Sequence, residues 1–223
     1  MMDRLSVMLG RARHISATEG KVTLLRRALR RVRGLFFRHE TYYLYEFPVE
    51  DERVLTEADC TPRLDGLTFK MVSSNREADE LEALGFDFRS QTIHARQRLD
   101  MGAIAFCFFV GRELAHIAWV AMTEEAQRGL TYLPVKVDYV RGEAYRGGAW
   151  TDPRYRRRGL HVYSRLKRNR FLEERGGVRY RGAVDTSNTA SLMGVTKVGS
   201  RRYGRGRYLK VLWWSSWRET PMA

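Results

Sequence analysis

Two β-rich apolar runs, residues 103–110 and 114–122, are separated only by Gly111-Arg112-Glu113. This spacing constrains the fold more than any other feature of the chain. Both runs are rich in phenylalanine, isoleucine, valine and tryptophan, and a three-residue link containing glycine is the length that joins antiparallel neighbours. An antiparallel hairpin is therefore expected in the sheet, with Cys107 buried inside it.

Other segments extend this frame. Residues 40–49, rich in tyrosine and phenylalanine and closing near Pro48, read as a first strand. Residues 77–84 suit a helix. A strand pair is expected at 133–140 and 143–151, ended by Asp152-Pro153. A helix then opens at Gly159 and runs to about residue 175, where Gly176-Gly177 stops it. Residues 178–184 read as a strand, 189–197 as a short helix and 208–217 as one long aromatic strand. At the other end, residues 21–37 place Leu25, Leu29, Val32 and Phe36 at helical spacing among Arg26, Arg27, Arg30, Arg31 and Arg33, a basic amphipathic helix. The expected division is a basic helical extension over 1–39 and one folded domain over 40–223.

Composition narrows the function classes. With 223 residues and 43% hydrophobic content the chain can build a substantial core. Two cysteines, Cys60 and Cys107, make no disulfide framework, which points to a reducing, cytoplasmic compartment. No run reaches the roughly 20 apolar residues of a membrane span, although the basic helix suits a peripheral position on a membrane. A net charge of +14 attracts phosphates, an acidic carrier protein, nucleic acid or an anionic surface. No metal-ligand spacing, serine elbow or nucleotide phosphate loop occurs, so no metal is expected.

The chemistry concentrates in 150–161, Trp-Thr-Asp-Pro-Arg-Tyr-Arg-Arg-Arg-Gly-Leu-His, between a strand and a helix. A turn entering a helix presents unpaired N–H groups and the positive end of the helix dipole, which suits a pyrophosphate. Gly159 would let the backbone approach it, and the arginines add charge. On these features alone a solvated basic turn is an equal alternative.

Arg156-x-x-Gly159-x-His161, preceded by Asp152-Pro153-x-Tyr155, resembles the pyrophosphate loop Arg/Gln-x-x-Gly-x-Gly/Ala of the GNAT (GCN5-related N-acetyltransferase) superfamily. Asn188-x-x-Ser191 and Lys197-x-Gly199, about 30 residues on, are similar to that family's next signature. The resemblance covers about residues 100–217. It implies an α/β (α+β) fold whose mixed, mostly antiparallel sheet is flanked by helices and splayed at an acyl-CoA cleft. It also implies acetyl-CoA or another acyl-CoA as donor. Its carbonyl would be polarised by a backbone N–H in Ala149, Trp150 or Thr151. Its pyrophosphate would be held by Arg156, Arg157, Arg158, Gly159, Leu160 and His161, and Asn188 and Ser191 would lie beside its pantetheine arm. Three positions depart from the pattern. His161 stands where a small residue is usual, Val195 replaces the common tyrosine acid, and Ser200 follows Gly199 in place of phenylalanine.

Attack by an amine needs a proton acceptor. Glu143 and Tyr145, two apart on the preceding strand, share a face and are the catalytic candidates, with Asp185 as a further base. A carboxylate offsetting Arg141 and Arg146 is the other reading of Glu143. The expected activity is acetyl transfer to a small amine such as an amino sugar, with or without an anionic group. The alternatives are a long-chain N-acyltransferase served by acyl-CoA or an acyl carrier protein, and a catalytically silent module binding RNA or an anionic membrane. Trp213, Trp214 and Trp217 either join the core or pair a homodimer across the last strand.

Overall fold

The computed structural model describes residues 36–49, 57–196 and 200–222. Nearly all of the basic helix expected over 21–37 lies outside these residues, as do Lys197 and Gly199. The described residues form one eight-stranded sheet. Its strands in chain order are β1 (Phe37–Pro48), β2 (Leu67–Val72), β3 (Ile104–Val110), β4 (Glu113–Ala121), β5 (Glu143–Thr151), β6 (Arg179–Asp185), β7 (Arg201–Val211) and β8 (Trp214–Pro221). They lie side by side in the order β2-β3-β4-β5-β6-β1-β7-β8. Every neighbouring pair is antiparallel except β5 and β6.

The β3–β4 hairpin supplies side chains to the cores on both faces of the sheet. Phe106, Phe108, Phe109, Ile117 and Trp119 are each almost fully buried, because helices cover both faces and leave the alternating side chains of either parity no solvent. One face carries α2 (Asn75–Ala83), α3 (Ala95–Asp100) and α4 (Glu124–Leu130), packed through Ala78, Leu99 and Ala126. The other carries α1 (Glu57–Cys60), α5 (Leu160–Glu173) and α6 (Thr189–Thr196), packed through Cys60, Leu166, Leu172 and Val195.

β1 was expected as a first strand, and it takes an interior place between β6 and β7. Period-two alternation explains why it tolerates this. Tyr42 and Leu44 serve one core while Tyr45 and Phe47 serve the other. It begins at Phe37, inside the segment assigned above to the helical extension.

Two expectations are corrected. Residues 133–140 form no strand, and β5 takes its neighbours from β4 and β6 instead. The segment is instead tied down by side chains, with Gln127 Nε2 donating to the Val135 carbonyl at 2.8 Å and Tyr139 Oη bonding Gln127 Oε1 at 2.5 Å. The long strand over 208–217 is in fact a hairpin, turned at Leu212-Trp213 with Leu212 in the left-handed region (φ 55°). Trp217 packs partly against the core, but Trp213 and Trp214 do not.

Candidate active site

β5 changes partners along its length. It pairs with β6 only from Glu143 to Tyr145, and beyond that point the two parallel strands diverge. On its other edge Trp119 faces Gly147 while Ile117 faces Trp150, so β5 carries an extra residue there. This is a β-bulge. Gly148, at φ 59°, supplies the left-handed residue it requires. Gly148 and Ala149 are exposed, at the mouth of the wedge between β5 and β6. Their peptide groups are therefore free of the ladder on the β6 side, the arrangement expected of a backbone donor to a polarised carbonyl.

One further side chain reaches this bulge. A Cβ built on Gly148 would lie 3.1 Å from the Trp119 ring and 3.2 Å from Nη1 of Arg98, and the Arg98 guanidinium sits 5.2 Å from the Trp119 ring centroid. Sequence reading did not single out Arg98. Nothing in a basic residue on a short helix marks it, because only the fold brings α3 against the bulge.

The strand end leads into the basic turn. Asp152, fully buried, donates its N–H to the Ala115 carbonyl and accepts from the backbone and guanidinium of Arg154. Tyr155 Oη and Arg154 both reach Glu113. The turn is thus anchored to the β3–β4 hairpin. Arg156, Arg157 and Arg158 are exposed, Arg156 Nε donates to the Thr151 carbonyl at 3.3 Å, and Arg157 takes φ 63°. Gly159 caps α5 at φ 82° with no side-chain cap. A Cβ there would meet only Pro62 Cγ, at 3.9 Å, so the backbone conformation, and not crowding, demands glycine. The first-turn N–H groups, those of Leu160 and His161 among them, point out of the helix end with three arginines around them, a fit for a pyrophosphate. Leu160 itself is buried and seats the helix on the core.

Beneath the first turns of α5 lies a basic interior. His161, Arg165 and Arg168 face the sheet, where they meet His116 of β4 and Arg146 of β5. Arg146, the first β5 residue past the parallel pairing, lies over the Phe47 ring at 3.0 Å. His116 Nδ1 is 2.7 Å from Thr151 Oγ1. Burial, then Arg168, Arg146 and Arg165, bring the His161 imidazole down to about 4. Burial, Arg168 and His161 hold His116 well below the ordinary range. Both rings are neutral at physiological pH, so His161 can offer a phosphate one N–H but no charge.

Asn188 and Ser191 occupy the start of α6. Asn188 Oδ1 accepts the Ser191 N–H at 3.1 Å, a helix N-cap, and both side chains are exposed. Asp185 closes the preceding turn, accepting from the N–H and hydroxyl of Ser187. Val195 is buried, filling core where the common tyrosine would stand.

Glu143 and Tyr145 do share a face; Glu143 stands at the opposite end of β5 from the turn, while the Tyr145 ring runs along the strand to 3.1 Å from a Cβ built on Gly147, beside the bulge. Thr151 is eight positions on from Glu143, roughly 26 Å of strand. The Glu143 carboxylate accepts from Arg181 Nη2 at 2.8 Å and Nε at 3.0 Å and from the Asp138 N–H at 3.0 Å. Burial opposes its ionisation, but these donors outweigh it and leave it below the usual carboxylate range. Its partners are Arg181 and Arg179, and not the Arg141 and Arg146 suggested by sequence proximity. Tyr145 is buried, and burial raises its hydroxyl to about 12. A cavity of about 840 Å³ lined by Lys136, Asp138, Glu143, Arg179 and Arg181 adjoins that end, away from the bulge. Among the described residues no cluster of three histidine, cysteine or acidic side chains is placed to hold a metal.

No family model and no curated protein matches the chain. Solved structures do. The chain is similar to the GCN5-related glucosamine N-acetyltransferase region of a fungal multidomain GH3 β-N-acetylglucosaminidase (14% identity, TM-score 0.51, 82% of this chain and 22% of that one). It is also similar to a tandem GNAT protein from the clavulanic acid biosynthesis pathway (14%, 0.50, 88% and 59%). A GCN5-related N-acetyltransferase from Sphaerobacter thermophilus aligns at 14% identity and TM-score 0.48, over 88% of this chain and 57% of that one. The chain spans less than two thirds of the length of each. At these identities the likeness concerns the fold, which is that of the GNAT proteins.

Proposed function

We propose that this GNAT-fold chain is an acyl-CoA-dependent N-acyltransferase, transferring an acetyl group to a small amine that carries an anionic group, an amino sugar derivative being one such acceptor. One observation carries the reading: the bulge at Gly148–Ala149 and the glycine-capped basic turn 156–161 lie at the two ends of a single short stretch of chain, at the wedge where β5 leaves β6. A thioester whose pyrophosphate rests on the first turn of α5 would have its pantetheine in that wedge and its carbonyl at the bulge.

The amine nitrogen then forms a bond to the thioester carbon, the oxyanion of the adduct is met by a bulge N–H, and the carbon–sulfur bond breaks to release the thiol. The ammonium proton leaves to water at the exposed bulge, since Glu143 and Asp185 are engaged elsewhere, and the thiolate is protonated from solvent. Arg98, beside Gly148, is the group to hold the acceptor's negative charge.

Calorimetric titration of the full chain with acetyl-CoA, longer acyl-CoA and free coenzyme A, at low and moderate salt, tests this. Salt-tolerant binding is expected. Gly159→Val should weaken it at least ten-fold, because a β-branched residue disfavours φ 82° by about 1–2 kcal/mol and the free turn relaxes away from the conformation that presents its N–H groups to a phosphate. Unchanged affinity in that variant would remove the loop assignment, and failure of every thioester to bind would leave a silent module.

A further inference from the structure

We infer that the chain docks on anionic membranes through the apolar end of its sheet, with the β7–β8 turn entering the lipid interface. Six large apolar side chains are concentrated there. Trp213 is 89% exposed, and Phe36, Trp214, Leu212, Val211 and Phe37 are between 42% and 59% exposed. They are neighbours by register. Phe37 faces Val211, Val211 faces Trp214, and the Leu212 N–H donates to the Phe36 carbonyl at 2.6 Å.

The turn is expensive in water on two counts. A two-residue hairpin turn favours Asn-Gly or Asp-Gly, which accept the left-handed conformation and hydrate well. Here leucine takes that conformation at φ 55° and tryptophan follows it into solvent. Both costs would be offset where the side chains meet lipid and not water, and tryptophan is the residue best suited to that boundary.

The surroundings indicate which surface. Arg38 and Lys210 adjoin Phe37 and Val211, while Arg207 and Arg218 face each other further along the strands. Lys210 stands one position behind the Val211–Trp214 pair that closes the turn, about 3 Å back at strand spacing, within the depth to which apolar groups enter the headgroup boundary. Cations would then lie among the headgroups. With a net charge of +14 the complement is an anionic lipid surface, whereas a second copy would set Arg38 and Lys210 against their own likenesses. The inference stands apart from the acyl-transfer reading.

The test is co-sedimentation of the full chain with vesicles of phosphatidylcholine alone and of phosphatidylcholine mixed with phosphatidylglycerol, beside the double variant Trp213→Ser, Trp214→Ser. Wild type is expected to bind the anionic vesicles, with a blue shift of tryptophan emission. The variant should bind at least ten-fold more weakly while keeping the wild-type melting temperature, because both side chains are exposed. Equal binding of the two proteins would reduce the effect to net charge and overturn the inference. So would failure of wild type to bind anionic vesicles, or a dimer seen by sedimentation that the substitutions abolish.

Discussion

Glu143→Ala is expected to cost roughly 1.5–3 kcal/mol of folding stability, the usual consequence of removing a buried, hydrogen-bonded charged group whose partners keep some solvent. The residue is 7% exposed and opens the three-residue parallel contact of β5 with β6. Its carboxylate and that of Glu46 on β1 share Arg179 and Arg181, so charges from three adjacent strands meet in one network. Without Glu143, two partly exposed guanidiniums face Glu46 alone, and the Asp138 N–H loses its acceptor. The same change separates two roles for this residue. If Glu143 were the proton acceptor, Glu143→Gln would keep the melting temperature and abolish the acidic limb of the pH–rate profile, the limb that a carboxylate base sets. As the clamp described above, it lowers the urea midpoint and leaves the profile's shape unchanged. The sign with pH follows from the lowered carboxyl. Its stabilisation is present above the ordinary carboxylate range and is lost as pH falls through the depressed folded value.

The β3–β4 hairpin and the turn into α5 were legible because each is a local event. A glycine-containing link sets the hairpin, and a proline, a glycine and a basic run set the turn. The interior place of β1 was not legible, because strand order is a long-range pairing that leaves no local signal. The same reason hid Arg98, whose approach to Gly148 depends on how α3 packs. The 208–217 run misled because Val211, Leu212, Trp213 and Trp214 form an unbroken apolar series, and apolarity ordinarily argues against a turn. Asn188 and Ser191 were read through family resemblance as donor contacts. The structure gives them a local task, capping α6, that would place the same residues there with or without a thioester.

Lowering the pH from 7 to about 4.5 is expected to destabilise the fold by several kcal/mol, chiefly through the two imidazoles beneath α5. His161 titrates near 4 in the folded chain against an ordinary value of 6.5. His116 is also held low, and its Nε2 is buried without a hydrogen-bond partner in the structure. The unfolded chain therefore takes up protons first. As pH falls below 6.5 it is favoured over the folded form, and for His161 alone the loss grows to on the order of 3 kcal/mol by the time pH reaches its folded value. Arg146, Arg165 and Arg168 leave a new positive charge there no favourable place, so local relief would require α5 to lift from β4 and β5. Such a movement would part His161 from His116 and withdraw the first turn of α5 from the bulge, so binding of coenzyme A should fall together with stability. Melting curves across that range check the prediction, with His161→Asn as comparison. The variant should lose a large part of the slope between pH 6.5 and 4. An identical slope in both proteins would mean that the acid sensitivity resides in the carboxylates and that the basic interior tolerates a proton.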